Sequence, residues 1–310
     1  MRTWARTGPV VVEVDGSAEG LHVVDYAALE ALRSGAGLVL VAPYPAHSSY
    51  NPMTAGYQPK PPAEIADAAL RQAVAHVRHH YGYELQVTAV SEEGARLKVL
   101  PQVARHARLL VVGRSRARGP HRLVAAQSNI FLTARTGCPV IVVPLSWRPG
   151  LLDRKVAVGI DGTPLSVEAV EFAFRETAER EGELTVVHAQ HAPRHDPVDG
   201  DVDSSWVRRG DLTVSETLAG WADEYPEVKV TRFLTAKPVV EALVREGAQA
   251  GLVVLGARAG RLPVGDPIAR RAVAAMACPV AIVPHHVIAG ERGRQARVVR
   301  RGTDVVVPTY

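Results

Sequence analysis

An internal repeat constrains this chain more than any other feature. Three apolar segments each occur twice, in the same order and at similar intervals. PVVVEVDG (residues 9–16) returns as KVAVGIDG (155–162), LLVVG (109–113) as LVVLG (252–256), and CPVIVVP (138–144) as CPVAIVP (278–284). Such self-similarity marks two copies of one folding unit, and 310 residues is a suitable length for two domains. The expected domains are residues 8–146 and 153–286, with a basic tail at 287–310. The joint SWRPGLLDR carries the Pro-Gly pair of a linker.

Within copy one the predicted elements alternate. Strand VVVEV precedes a helical stretch, SAEGLHVVDYAALEALRSG, in which Leu21, Val24, Ala28 and Leu32 fall at helical spacing. Strand GLVLVAP leads into a long polar, proline-rich loop, YPAHSSYNPMTAGYQPKPP. Helix EIADAALRQAVAHVRHHYG follows, with Ile65, Ala69, Ala73 and Val77 on one face. Strand ELQVTAV, helix ARLKVLPQVARHA, strand RLLVVG, a loop, helix NIFLTARTG and strand PVIVVP complete the unit, and copy two repeats the plan. Continuous Val/Ile/Leu runs indicate strands buried on both faces. Helices between them indicate right-handed parallel crossovers. The expected fold class is α/β: two tandem doubly wound domains, each with a five-stranded parallel sheet flanked by helices.

Composition narrows the function classes. The chain is 47% hydrophobic and 22% charged, an ordinary globular balance. No stretch approaches the roughly 18 apolar residues of a membrane helix, so no membrane partner is expected. The opening residues, MRTWARTGPVVVEVDG, run straight into a strand and leave no room for a signal peptide. Two cysteines are too few for a disulfide framework, which makes a cytoplasmic location the expectation. A net charge of +4 does not by itself call for nucleic acid.

In a doubly wound sheet, ligands sit beyond the carboxyl ends of the strands, where strand order reverses. Each copy places an aspartate after its first strand, Asp15 in VDGS and Asp161 in IDGT, and a glycine at the end of its fourth, Gly113 and Gly256. The aspartates suit a helix cap or turn as well as a pocket, and the glycines suit a sharp turn. Their joint recurrence favours a shared pocket, functional or inherited.

With these residues in view, the sequence resembles a tandem universal stress protein. The resemblance rests on VDGS and IDGT, on LLVVGRSRARG and LVVLGARAGR, and on GCPVIVVP and ACPVAIVP, and covers nearly the whole chain except the tail. It implies a strand order of 3-2-1-4-5 in each copy, dimerisation through the last strand, and either ATP binding or its loss. ATP-binding members carry a motif of glycine, two residues, glycine, nine residues, then glycine and a hydroxyl residue. In copy one Gly113 fits the first position, while Arg116, Ala126 and Gln127 stand at the others. In copy two Gly256 fits, Ala259 replaces the second glycine, and Gly265 lies near the third position, followed by Asp266 and Pro267. Ala42 and Ala189 match a position that contacts the base.

Such glycines let backbone N–H groups approach phosphate without a Cβ in the way. Losing two charge-assisted hydrogen bonds, each worth about 1.5–3 kcal/mol, weakens binding roughly a hundredfold to ten-thousandfold. Against this, Arg114, Arg116, Arg118 and Arg122, with His121, crowd one loop, and guanidinium groups grip phosphate bidentately. The loop is then either a solvated basic surface or an anion site built from side chains.

Elsewhere, HAQHAPRHDPVDGDVD (188–203) holds metal-ligand residue types without a ligand spacing and is expected to be a polar loop. Cys138 and Cys278 both open the last strand and suit inert core positions. No hydrolytic constellation is readable. In the tail, ERGRQARVVRRG is basic and DVVVPTY suits either an edge strand or a disordered end.

The expectation is a cytoplasmic, non-catalytic regulatory protein with degenerate nucleotide pockets, its copies packed as a pseudo-dimer. Protein partners or a homodimer are expected, and no cofactor or metal. The alternative is an ATP-binding module that uses copy one with arginine contacts to phosphate. A third reading is anion or nucleic-acid binding through the arginine loop and tail, although no aromatic interleaving supports it.

Overall fold

The computed structural model describes residues 7–17, 20–46, 60–114, 121–189, 204–258 and 267–285. In copy one the strands are β1 (Val10–Glu13), β2 (Leu38–Tyr44), β3 (Val87–Glu93), β4 (Leu109–Gly113) and β5 (Val140–Val143). Its helices are α1 (Leu21–Ser34), α2 (Pro62–Tyr81), α3 (Arg96–Val103) and α4 (His121–Thr136). Copy two has strands β6 (Lys155–Ile160), β7 (Glu183–Ala189), β8 (Lys229–Thr235), β9 (Leu252–Arg258) and β10 (Val280–His285). Its helices are α5 (Pro164–Glu179), α6 (Ser204–Leu218), α7 (Trp221–Glu224), α8 (Val239–Gly247) and α9 (Pro267–Ala275).

The ten strands form one sheet in the order β3-β2-β1-β4-β5-β10-β9-β6-β7-β8. Each half has the order 3-2-1-4-5, and pairing within each half is parallel. The halves meet where β5 and β10 run antiparallel, with Val142 opposite Val280 and Val140 opposite Ile282. The last-strand contact is therefore made inside one chain, and β3 and β8 are left as the sheet edges.

The apolar runs follow from this layering. Successive strand residues point to opposite faces, and here both faces are covered. Val10, Val12, Leu38, Leu40, Leu109 and Val111 lie in the layer with α1 and α2. Val11, Leu110, Val112, Val140 and Val142 lie in the other, with Val99 and Leu100 of α3 and Ile130 and Leu132 of α4. Both layers continue across the β5–β10 seam into copy two.

Two expectations of helix face are corrected. Leu32 is 44% exposed and Ile65 54% exposed. The buried stripe of α1 runs instead through Val23, Val24, Ala27, Ala28 and Ala31, and that of α2 through Ala66, Ala69, Leu70, Ala73 and Val77. Leu32 and Ile65 lie off those stripes, whereas the bulky Tyr26 and Leu70 are buried. A third correction concerns α4. It begins at His121 rather than at Asn129, because Leu123, Ala125, Ala126 and Gln127 are good helix formers.

The seam also carries buried charge. Arg180 binds Glu30 of α1 through Nη2 at 2.7 Å and Glu176 of α5 through Nη1 at 2.7 Å, and donates to the Tyr26 hydroxyl at 3.1 Å. Arg33 reaches Glu30 at 2.9 Å, and Arg108 bonds Glu179. Trp147, in the linker, stands edge-on to Tyr26 with ring centroids 5.0 Å apart.

Candidate functional site

In each copy strand order reverses between the first and fourth strands, β1/β4 and β6/β9. The crevice beyond their carboxyl ends is where a doubly wound sheet takes a ligand. Asp15 and Asp161 stand at its rim. Asp15 Oδ1 accepts from the Ser17 amide at 2.9 Å and hydroxyl at 2.7 Å. Asp161 Oδ1 accepts from the Thr163 amide at 2.9 Å, the Thr163 hydroxyl at 2.6 Å and the Ser166 hydroxyl at 2.8 Å. Between each pair lies a left-handed glycine, Gly16 (φ +73°) or Gly162 (φ +75°), which is why DG recurs. Both carboxylates thus close the turn into the following helix, and Oδ1 is occupied in doing so. Partial burial raises the Asp161 carboxyl, but the hydrogen bonds from Thr163 and Ser166 outweigh it and hold the group below its ordinary pKa.

The remaining residues of the sequence reading divide into three groups. Gly113 ends β4 as expected, whereas β9 runs two residues past Gly256 to Arg258; a Cβ at Gly113 would meet the Val23 side chain at 3.3 Å. Ala42 is buried in β2 opposite Ser91, and Ala189 ends β7 opposite Thr235. Ala126 and Gln127 fall inside α4 rather than in a loop. Arg116, Arg118, Ala259, Gly265 and the tail lie outside the described residues, as does most of the 188–203 loop. His188 is described, and its Nδ1 hydrogen-bonds the Ile160 carbonyl at 3.1 Å. Among the described residues no group of His, Cys, Asp and Glu could hold a metal ion, and no helix is long and apolar enough to cross a membrane.

Arg114, which the sequence groups with the phosphate-gripping arginines, turns elsewhere. Its guanidinium donates across the seam to the carbonyls of Met276 and Val273, at the C-terminal end of α9, the latter at 3.4 Å. Four orphan carbonyls end every helix, and a cation there is favourable. The residue directly after Gly113 therefore serves copy two as a helix cap.

Sequence reasoning missed a polar group beside the crevice of copy one. Arg96 donates from Nε to Glu13 Oε1 at 2.6 Å, from Nη1 to Ser128 Oγ at 3.1 Å and from Nη2 to Asn129 Oδ1 at 2.8 Å. The available signal was Glu13 itself, an acid closing an otherwise apolar strand where copy two has Gly159. In copy two the same region is a cavity of about 70 Å³, lined by Gly159, Asp161, Ser166, Val239, Leu255, Gly256, Ile268 and Ala269.

Comparisons with known proteins agree with this architecture. Residues 7–144 and residues 154–284 each match the model of the universal stress protein family. Universal stress protein Rv2005c of Mycobacterium tuberculosis is 29% identical over 259 residues, covering 80% of this chain and 86% of the relative. Universal stress protein Rv2623 of the same organism is 32% identical over 197 residues, covering 57% and 63%. The crystal structure of a universal stress protein from Archaeoglobus fulgidus shares the fold with a TM-score of 0.63 at 12% identity, covering 91% of this chain and 98% of that one. With both halves matched and the repeated sheet order in place, the chain belongs to the universal stress protein family, as a tandem of two such domains.

Proposed function

We propose that this stress-response protein is a non-catalytic regulatory member of its family whose two nucleotide crevices have degenerated, so that it does not hold ATP tightly. The observation that carries the reading is the course of α4. Positions 126 and 127 match the third glycine and the hydroxyl of the ATP motif, and both lie in the second turn of a helix that begins at His121. Only the first four N–H groups of a helix are free of intrahelical partners. The amides of Ala126 and Gln127 are therefore used by the helix and cannot cradle a phosphate. Copy two supports the same reading, since a cavity of about 70 Å³ is well below the roughly 300–1,000 Å³ of small-molecule pockets.

A cytoplasmic location belongs to this reading, as do the domain boundaries 8–146 and 153–286. The protein then acts through its surfaces, on protein partners or on a second copy of itself. Titration calorimetry with ATP on the full chain tests it. The expected result is no binding tighter than about millimolar, and a micromolar dissociation constant overturns the reading.

A further inference from the structure

The polar group around Arg96 and the small cavity of copy two occupy equivalent places. Glu13 and Gly159 each stand two residues before the rim aspartate of their copy. Arg96 opens α3 and Val239 opens α8, in each copy the helix between the third and fourth strands. Ser128 and Asn129 lie ten and nine residues before Cys138, as Ile268 and Ala269 do before Cys278. Four positions that are apolar around the cavity of copy two thus hold, in copy one, a carboxylate, a guanidinium, a hydroxyl and an amide, joined by three hydrogen bonds.

The cluster is largely enclosed. Asn129 is 3% exposed, and the Glu13 and Arg96 side chains are 14% and 28% exposed. The guanidinium is partly shielded from water, and Glu13 supplies a countercharge at 2.6 Å. Nη1 and Nη2 fix the fork against Ser128 and Asn129 of α4, so the plane of the group is set by neutral partners and its charge is answered by Glu13. That division has a chemical consequence. A ligand anion entering between β1 and β4 meets a positioned guanidinium, and its one competitor in the cluster is the carboxylate of Glu13.

We propose that the Glu13–Arg96 pair is an internal plug in the crevice of copy one: Arg96 is an anion-binding residue of that crevice, and Glu13 holds it closed to phosphate-bearing ligands. This rests on the reading that the native chain does not bind ATP tightly. Glu13 competes as a tethered carboxylate, always present at high local concentration, whereas a free phosphate ester must displace it. Copy two has neither partner, so among the described residues its crevice offers no corresponding anion site.

The test compares the full native chain with Glu13→Gln, Glu13→Gly and the double variant Glu13→Gln/Arg96→Met, using inorganic pyrophosphate and ATP as probes in titration calorimetry. Glu13→Gln keeps the side-chain shape, and Glu13→Gly places there the residue that copy two carries, so the test survives failure of either variant to fold. The expected result is a ten- to hundredfold tighter dissociation constant for pyrophosphate in the Glu13 variants, matching the loss of one charge-assisted competitor. The gain should disappear in the double variant. Unchanged affinity in the Glu13 variants overturns the plug, as does a gain that survives Arg96→Met. Tight ATP binding by the native chain overturns the functional reading instead, and the ratio of native to Glu13→Gln affinity still decides the plug.

Discussion

Glu30 of α1 and Glu176 of α5 are held by the same nitrogen, Nη1 of Arg180, at 3.4 and 2.7 Å. The two acids are equivalent, each fifteen residues after the rim aspartate of its copy. The pseudo-twofold relation between the halves thus brings two like charges together in the buried seam. Burial raises the Glu30 carboxyl to about 7, with Glu176 adding to the effect and Arg180 and Arg33 opposing it. Burial also acts to raise Glu176, but Arg180, Arg175 and Arg108 outweigh it and hold that group low. Glu30 is therefore the member of the pair that is held high, and Glu176 the one held low.

A pH dependence follows. A carboxyl with a higher pKa in the folded chain than its ordinary 4.5 binds its proton more tightly when folded. Stability from this group is therefore greatest at low pH, falls as pH rises from about 4.5 to about 7, and is level above that. Glu30→Gln fixes the neutral form and should remove this part of the slope. Melting curves of native and variant chains from pH 5.5 to 8 check it: the stability of Glu30→Gln relative to native should increase with pH. A difference that stays constant across the range refutes it.

Arg114 gives a second expectation. Its guanidinium ties the end of β4 to the α9 terminus through the Met276 and Val273 carbonyls, and hydrogen bonds from a charged donor contribute about 1.5–3 kcal/mol. Arg114→Ala should lower Tm by several degrees and speed amide exchange at the end of α9, in the copy that was not mutated. Exchange that accelerates only in copy one would show that the tie across the seam is not stabilising.

The thiols should be inert. Cys138 and Cys278 are buried, and burial pushes both up to about 12, so almost no thiolate exists at pH 8. A disulfide-exchange reagent should leave the native chain unlabelled over minutes and react with both cysteines in guanidinium chloride. Rapid reaction of either thiol in the native chain would contradict the buried placement and make that cysteine a candidate redox sensor.

Much of the fold was legible because its strands are buried on both faces. Val10, Val11 and Val12 serve two core layers, so the strand reads as an unbroken apolar run, and the repeat then specifies the second half. The rim aspartates were legible because the turn through the left-handed Gly16 and Gly162 demands a partner for its amides. Partners distant in sequence were not. Arg96 reaches Glu13 across 83 positions and Arg114 reaches Met276 across 162. An arginine fits a solvated loop, a phosphate site and a helix cap equally well until tertiary contacts choose. The start of α4 was missed for a local reason: residues 121–128 were read as part of the loop, although Leu123, Ala125, Ala126 and Gln127 have strong helix propensity of their own.

The antiparallel junction of β5 and β10 also changes what each half is free to become. Two identical subunits meeting along a last strand must accept every substitution twice, and their contact is lost on dilution. Here the peptide linker keeps the halves at a high effective concentration whatever the cellular level of the protein. One half can then carry Glu13 where the other carries Gly159, a difference that no symmetric pair of identical chains can have. Covalent pairing makes asymmetry heritable, and the unlike crevices of this chain are its product.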